Sequence, residues 1–113
     1  MSQINLNNKT FVLLENSENG QVNKETLFEY KQEANLVTAE YSGGSILKGA
    51  IIGRLQGSEL SMLYHCITSS NDLKAGKAIA QVSTNIDGKI ELRLKWEWLT
   101  SDERGESLYI ELT

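Results

Sequence analysis

Residues 89–99, KIELRLKWEWL, are the stretch that decides the predicted fold. Apolar side chains alternate there without a break with charged ones: Ile90, Leu92, Leu94, Trp96 and Trp98 against Lys89, Glu91, Arg93, Lys95 and Glu97. Strict alternation over this length indicates a β-strand with one dry face and one wet face. Because strands of parallel sheets are usually apolar on both faces, the pattern also favours antiparallel pairing.

Weaker versions of the same pattern occur along the rest of the chain, separated by turn residues. The segments are 9–16, 25–32, 36–42, 45–55, 60–67, 76–83 and 106–112. The turn-rich SENG (17–20) follows the first of them. Two local alternatives are helical: a helix over NKETLFEYKQEA (23–34), capped by Asn23, and a short helical turn near NDLKAGK (71–77). We expect about eight strands, each in hairpin contact with the next.

The absence of proline favours a sheet that closes on itself. A chain of this length and average composition would contain about five or six prolines, and this one contains none. Proline is a standard device for protecting an exposed sheet edge, and a closed sheet has no edge to protect. We predict an all-β fold, an up-and-down antiparallel barrel of the lipocalin or avidin type, as one domain over residues 1–113. A two-sheet β-sandwich is the alternative.

Composition excludes several classes of function. The net charge is −4 and no run of Lys and Arg is present, so neither a nucleic acid nor a membrane is an expected partner. No secretory signal is visible and no segment approaches the roughly 18 apolar residues of a spanning helix, so we expect a cytoplasmic protein. Cysteine and histidine each occur once, which excludes an internal disulfide and a Cys/His zinc site. No metal or cofactor is predicted.

The adjacent pair His65 and Cys66 is a weak candidate for a base and its nucleophile. Neighbouring side chains of a strand point to opposite faces. A buried cysteine beside a surface histidine is therefore the preferred interpretation.

The glycine-rich stretch at 43–53 resembles a phosphate-binding loop only in part. Gly44 and Gly49 have the spacing of its two glycines, but Ala50 and Ile51 occupy the positions of the lysine and the hydroxyl residue. The stretch also lacks a following helix that would offer its N-terminal amides. A tight hairpin turn at Gly43-Gly44, followed by a strand in which Gly49 and Gly53 allow bending or close approach of a neighbour, explains it better.

Aromatic side chains provide the candidate ligand site. Trp96 and Trp98 lie two residues apart on one face, and any of Tyr30, Tyr41, Tyr64 and Tyr109 that point the same way would join them. The five ligand candidates are the two tryptophans with Tyr30, Tyr41 and Tyr64. Indoles could form the floor of an apolar pocket while tyrosine hydroxyls orient a ligand. The alternative, which the small size of an eight-stranded interior favours, is that these side chains simply fill the barrel.

Three motifs taken together resemble a group of short, largely uncharacterised bacterial proteins. They are Tyr41-Ser42-Gly43-Gly44-x-Ile46-x-x-Gly49, the pair Trp96-x-Trp98, and Gly105-Glu106-Ser107. Some members of that group are labelled N-acetylglutamate synthase, so the resemblance implies transfer of an acetyl group from acetyl-CoA to glutamate. The nearest match to a CoA pyrophosphate loop, residues 54–59, has Glu59 where that loop ends in a small residue.

The sequence therefore leaves three functions open. The first is a non-enzymatic barrel that binds a small, partly apolar molecule. The second is a protein-interaction or assembly module that works through its outer face or a strand edge, for example as a homodimer. The third, which the residues favour least, is the acetyltransferase.

Overall fold

The computed structural model describes residues 4–16 and 24–112, which form a closed barrel of eight antiparallel strands. The strands are β1 (Lys9–Asn16), β2 (Leu27–Glu33), β3 (Leu36–Gly43), β4 (Ile46–Gln56), β5 (Glu59–Thr68), β6 (Leu73–Thr84), β7 (Ile90–Trp98) and β8 (Arg104–Leu112). Each pairs with the next in the sequence, and β8 pairs with β1 to close the sheet. The predicted up-and-down barrel is confirmed and the sandwich is not adopted. The SENG turn and the Asn23 cap lie outside the described residues.

The alternation that predicted β7 is the alternation that divides inside from outside. Leu92, Leu94, Trp96 and Trp98 are buried on the inner face, and Arg93 and Lys95 between them are exposed. Equivalent apolar residues of the other strands complete a single core cluster. Because burying each large apolar side chain contributes about 1.5–3 kcal/mol, this inner face dominates the stability of the barrel.

Neither helical alternative is adopted. The segment 23–34, for which a helix was the alternative to a strand, contributes Leu27–Glu33 to β2. The short helical turn near 71–77 was also wrong, because β6 begins at Leu73 and continues to Thr84. None of the described residues forms a helix long and apolar enough to cross a lipid bilayer.

The β3–β4 connection is the tight hairpin that the paired glycines predict. Gly43 and Gly44 have φ angles of +112° and +63°, a region that residues with a Cβ rarely adopt. A Cβ on Gly43 would also lie 2.2 Å from the carbonyl oxygen of Glu25. The hydroxyl of the fully buried Thr26 donates a hydrogen bond of 2.9 Å to the Gly43 carbonyl. This corner therefore packs directly against the start of β2.

The two ends of the barrel are built differently. At the end that we name the Leu6 end, where β2 turns into β3, the fully buried Leu6 packs into the core. Its N–H donates to Gln32 Oε1 at 2.9 Å. At the opposite end, which we name the Lys74 end, β3 turns into β4, β5 into β6 and β7 into β8. The candidate ligand residues must be located relative to these two ends.

Candidate functional site

All five residues that the sequence nominated lie on the inner face of the barrel. Tyr30, Tyr41, Trp96 and Trp98 are buried, and Tyr64 is partly buried. They belong to the same core cluster or pack against it. The structure thus brings them into one interior, and whether they bind a ligand there stays a prediction.

Trp98 is the centre of an aromatic group near the Lys74 end. The Tyr64 ring meets it edge-on with centroids 5.2 Å apart, and the Trp96 ring lies 6.3 Å away. The Trp96 indole N–H donates to the hydroxyl of Ser107 at 2.8 Å. Both indoles are consequently held in fixed orientations by contacts within the barrel.

The other nominated tyrosines pack against phenylalanines that the sequence interpretation did not single out. Phe28 stacks on Tyr41 with centroids 4.7 Å apart and meets Tyr109 edge-on at 4.9 Å. Phe11 meets Tyr30 edge-on at 5.2 Å. Such pairs contribute about 0.5–1.5 kcal/mol beyond the area they bury. These aromatic residues therefore belong to the core cluster.

Two of the tyrosines use the same device, in which the ring lies across a glycine of the next strand. Tyr41 pairs with Gly49, where a Cβ would lie 2.2 Å from the ring, and its hydroxyl donates to the His65 carbonyl on β5 at 3.1 Å. Tyr64 pairs with Gly76, and its hydroxyl donates to the Glu97 carbonyl on β7 at 3.3 Å. Each ring thus spans three neighbouring strands. The predicted close approach at Gly49 is confirmed.

Burial keeps these groups in their neutral forms. It raises the pKa of Tyr30, Tyr41, Tyr64 and Tyr109 above the usual value of 10.0, because the phenolate would lose its hydration. Burial likewise raises the pKa of the Cys66 thiol, and the nearby Tyr41 hydroxyl and Lys74 oppose that rise only in part. The thiol is therefore protonated at neutral pH and a poor nucleophile.

Lys74 is the residue that the sequence interpretation missed. It pairs with Cys66 and lies two residues before Gly76, so it belongs to the inner face. Its side chain is partly buried, and its Nζ lies 5.3 Å from the centroid of the Trp98 ring. This geometry is a cation–π contact. It places a positive charge beside the aromatic group at the Lys74 end.

The adjacent residues His65 and Cys66 are split between the two faces of the barrel wall. His65 is exposed on the outer wall while Cys66 is buried inside, as predicted, so the two side chains do not meet. Residues 4–16 and 24–112 contain no group of three or more His, Cys, Asp or Glu side chains that could hold a metal. Within the same ranges, every buried side-chain nitrogen or oxygen has a hydrogen-bond partner.

The fold and the inner face define the class of this protein. It is a closed antiparallel barrel, and its architecture is consistent with that of a small ligand-binding barrel. The family model for avidin-like proteins matches residues 4–112. The chain therefore belongs to the avidin-like family. No curated protein and no solved structure matches it at a significant level.

Proposed function

We propose that the barrel binds a small, partly apolar molecule against its inner aromatic side chains, with Lys74 holding an anionic group of that molecule. Tyr30, Tyr41, Tyr64, Trp96 and Trp98 are the proposed contact residues. The observation that carries the proposal is the Lys74 ammonium 5.3 Å from the Trp98 ring, beside the partly exposed Tyr64. A cation and an indole together suit a ligand with an apolar body and a negative end.

The hydroxyl groups of the inner tyrosines indicate which hydrogen-bonding groups the ligand should carry. Tyr41 and Tyr64 already donate their hydroxyl hydrogens to backbone carbonyls, but each hydroxyl oxygen keeps lone pairs that accept hydrogen bonds. These tyrosines therefore favour a ligand that donates N–H or O–H groups. An apolar molecule with N–H donors and a carboxylate meets all three conditions. Biotin, the small ligand associated with the avidin-like family, has this chemistry and is the first probe to use.

The test is a titration of the purified protein with biotin, followed by tryptophan fluorescence. Trp96 and Trp98 are the only tryptophans of the chain, and both side chains are buried on the inner face, so quenching reports mainly on that face. We expect saturable quenching and a rise in Tm, since a ligand at 100 times its Kd stabilises a folded protein by about 2.7 kcal/mol. Absence of both effects with biotin and with other carboxylate metabolites would contradict the proposal.

Matched variants and ligands isolate the role of Lys74. Lys74→Met removes the charge and keeps most of the side-chain volume, and Lys48→Met makes the same change at an exposed position of β4. We expect Lys74→Met to weaken biotin binding by about tenfold, equivalent to 1.4 kcal/mol, and to leave the uncharged amide of biotin unaffected. Equal losses for biotin and its amide would mean that Lys74 acts through packing.

An assembly module is the second candidate function, because large aliphatic side chains are exposed on the outer wall. Leu14 of β1 and Leu27 of β2 are 43% and 42% exposed. Self-association as a homodimer predicts a concentration-dependent mass in light scattering. A protein that stays monomeric at high concentration would contradict it.

Acetyl transfer to glutamate is the function with least support. Arg54 and Gln56 lie in β4, Gly57 lies in the turn and Glu59 begins β5, so a strand follows the motif where a CoA-binding loop requires a helix N-terminus. A ligand that binds only the folded state must raise Tm. An unchanged Tm at millimolar acetyl-CoA would exclude this function.

A further inference from the structure

A second candidate binding surface lies on the outside of the barrel, away from the inner face. Residues of β4 to β8, with Leu36 of β3, line an open groove of about 1160 Å³, and most of their side chains face outward. We name this surface the outer groove. Its volume exceeds the roughly 300–1,000 Å³ of typical small-ligand pockets. The outer groove is therefore sized for a segment of a larger molecule.

The floor of the outer groove is a contiguous apolar patch. Ile52 and Leu63 are direct cross-strand partners, and Ile79 pairs with Ser61, which places it diagonally next to Leu63. The three side chains are 56%, 56% and 50% exposed. Adjacent side chains on one face of a sheet form a continuous surface, and an exposed apolar patch rimmed by charges marks an interaction site.

The rim of the outer groove carries a charge opposite to that of the whole chain. Five of the chain's 11 basic residues line it, against two of its 15 acidic residues. The basic residues are Arg54, Lys77, Arg93, Lys95 and Arg104, and the acidic ones are Glu97 and Glu106. The groove is thus net positive although the net charge of the chain is −4. Such segregation favours an acidic partner and steers it to this face.

Much of this positive charge is not neutralised within the barrel. Lys77 lies 3.3 Å from Glu97 and forms an ion pair with it. Arg54, Arg93 and Lys95 form no ion pair with any residue in the described part of the chain. Their side chains are exposed, so they are accessible to carboxylates of a partner.

We propose that the outer groove binds an acidic peptide segment of a partner protein, with aliphatic side chains of that segment packed on Ile52, Leu63 and Ile79. Every strand of the described barrel is paired on both sides, so the segment gains no backbone pairing at a free strand edge. Side chains alone must recognise it. A second copy docked groove to groove is disfavoured, because a two-fold interface would oppose two net positive surfaces.

The probe is a short acetylated and amidated peptide in which single leucines are separated by pairs of glutamates. Two matched peptides replace either every glutamate by glutamine or every leucine by serine. We expect the first peptide to shift the backbone amide signals of the residues around Leu63, Ile79 and Lys95 in heteronuclear NMR. Both matched peptides should bind at least about tenfold more weakly, because each lacks one half of the recognition. Equal binding of the glutamine peptide would overturn the proposal.

Protein variants test the same surface without changing the probe. Arg93→Gln with Lys95→Gln removes two groove charges, and Lys24→Gln with Lys48→Gln removes two exposed charges outside the groove. The first pair should weaken the leucine–glutamate peptide about tenfold, and the second should leave the Kd within about threefold. Equal losses of peptide affinity in the two double variants would mean that net charge alone drives binding, and would contradict the assignment of the peptide to the outer groove.

Two other classes of anionic partner, nucleic acid and anionic membranes, are tested as alternatives to the peptide. A duplex DNA oligonucleotide and phosphatidylglycerol vesicles present negative charge without aliphatic side chains between carboxylates. Weaker binding of both than of the peptide supports the proposal, and tighter binding of either overturns it. Biotin quenching of tryptophan fluorescence is measured on the same groove variant, so a failure at this surface is distinguishable from a failure of the inner site.

Discussion

At the scale of single residues, the barrel depends on glycines that leave room for aromatic rings. Gly49 and Gly76 are the partners over which the Tyr41 and Tyr64 rings lie. The rings cover the gap that a missing side chain leaves in the sheet. Each tyrosine hydroxyl then reaches the backbone of the strand beyond. The glycine on the neighbouring strand therefore determines where each tyrosine ring lies and which carbonyl its hydroxyl reaches.

Adding a methyl group at these glycines should destabilise the barrel unequally. The Cβ of Gly49→Ala would lie 2.2 Å from the buried Tyr41 ring, whereas that of Gly76→Ala would lie 2.6 Å from the partly exposed Tyr64 ring. Since the Tyr64 ring can move toward solvent, we expect losses of about 3 kcal/mol for Gly49→Ala and about 1 kcal/mol for Gly76→Ala. Urea unfolding measures both free energies.

A double-mutant cycle identifies the cause of the larger loss. In a Tyr41→Ala background the clash is absent, so Gly49→Ala should cost much less than in the parent protein. If Gly49→Ala costs the same in both backgrounds, backbone preference explains the loss and the ring contact does not.

At the scale of elements, the carboxylate of Glu111 joins three strands near the Leu6 end through one ion pair and one hydrogen bond. Lys9 of β1 lies 3.0 Å from Glu111 Oε2 of β8, and the N–H of Ile90, the first residue of β7, donates to Glu111 Oε1 at 3.0 Å. The Ile90 hydrogen bond, followed by the Lys9 ammonium, lowers the pKa of Glu111 below its usual value of 4.5. This carboxylate therefore supports the β1–β8 pairing that closes the barrel.

Acid should remove the contribution of Glu111. Because the folded-state pKa is the lower one, the stabilisation is fully present above pH 4.5 and is lost as the pH falls through the lowered value. We expect Glu111→Gln to cost about 1 kcal/mol at pH 7 and less at pH 3, where the carboxylate carries less charge. Urea unfolding at both pH values measures the difference. A cost that does not depend on pH would show that the charge of Glu111 does not contribute. Glu29→Gln, at an exposed position of β2, is the control for general charge effects.

The elements differ in how far the sequence predicts them. β7 is predictable because Leu92, Leu94, Trp96 and Trp98 are buried, Ile90 is partly buried, and the charged residues between them face outward. β6 starts earlier than the sequence pattern predicts. At its first two positions the usual order is reversed, because Leu73 is 76% exposed and Lys74 faces inward. This reversal conceals the start of the strand, and with it the cation of the candidate site. The tyrosine–glycine pairs and the outer groove depend on strand register, which alternation within one strand does not contain.

At the scale of the whole molecule, closure joins strands of unequal pairing. β4 and β5 pair along their full lengths, Ile46–Gln56 and Glu59–Thr68, with one register shift between Ile46 and Lys48. β1 pairs with β2 only from Lys9 to Val12, and its pairing with β8 contains a bulge between Leu13 and Glu15. Since fewer hydrogen bonds must break there, the described barrel should open first between β1 and β2.

Native-state hydrogen exchange in low concentrations of urea tests where the barrel opens. We expect amides in β1 and β2 to exchange through an opening that costs at least about 2 kcal/mol less than the one that exposes β5, because local openings span energies below that of global unfolding. Amides of β4 that pair with β5 are the internal control, and they should exchange only with global unfolding. If β1, β2 and β5 all exchange at one free energy, the barrel opens as a single cooperative unit.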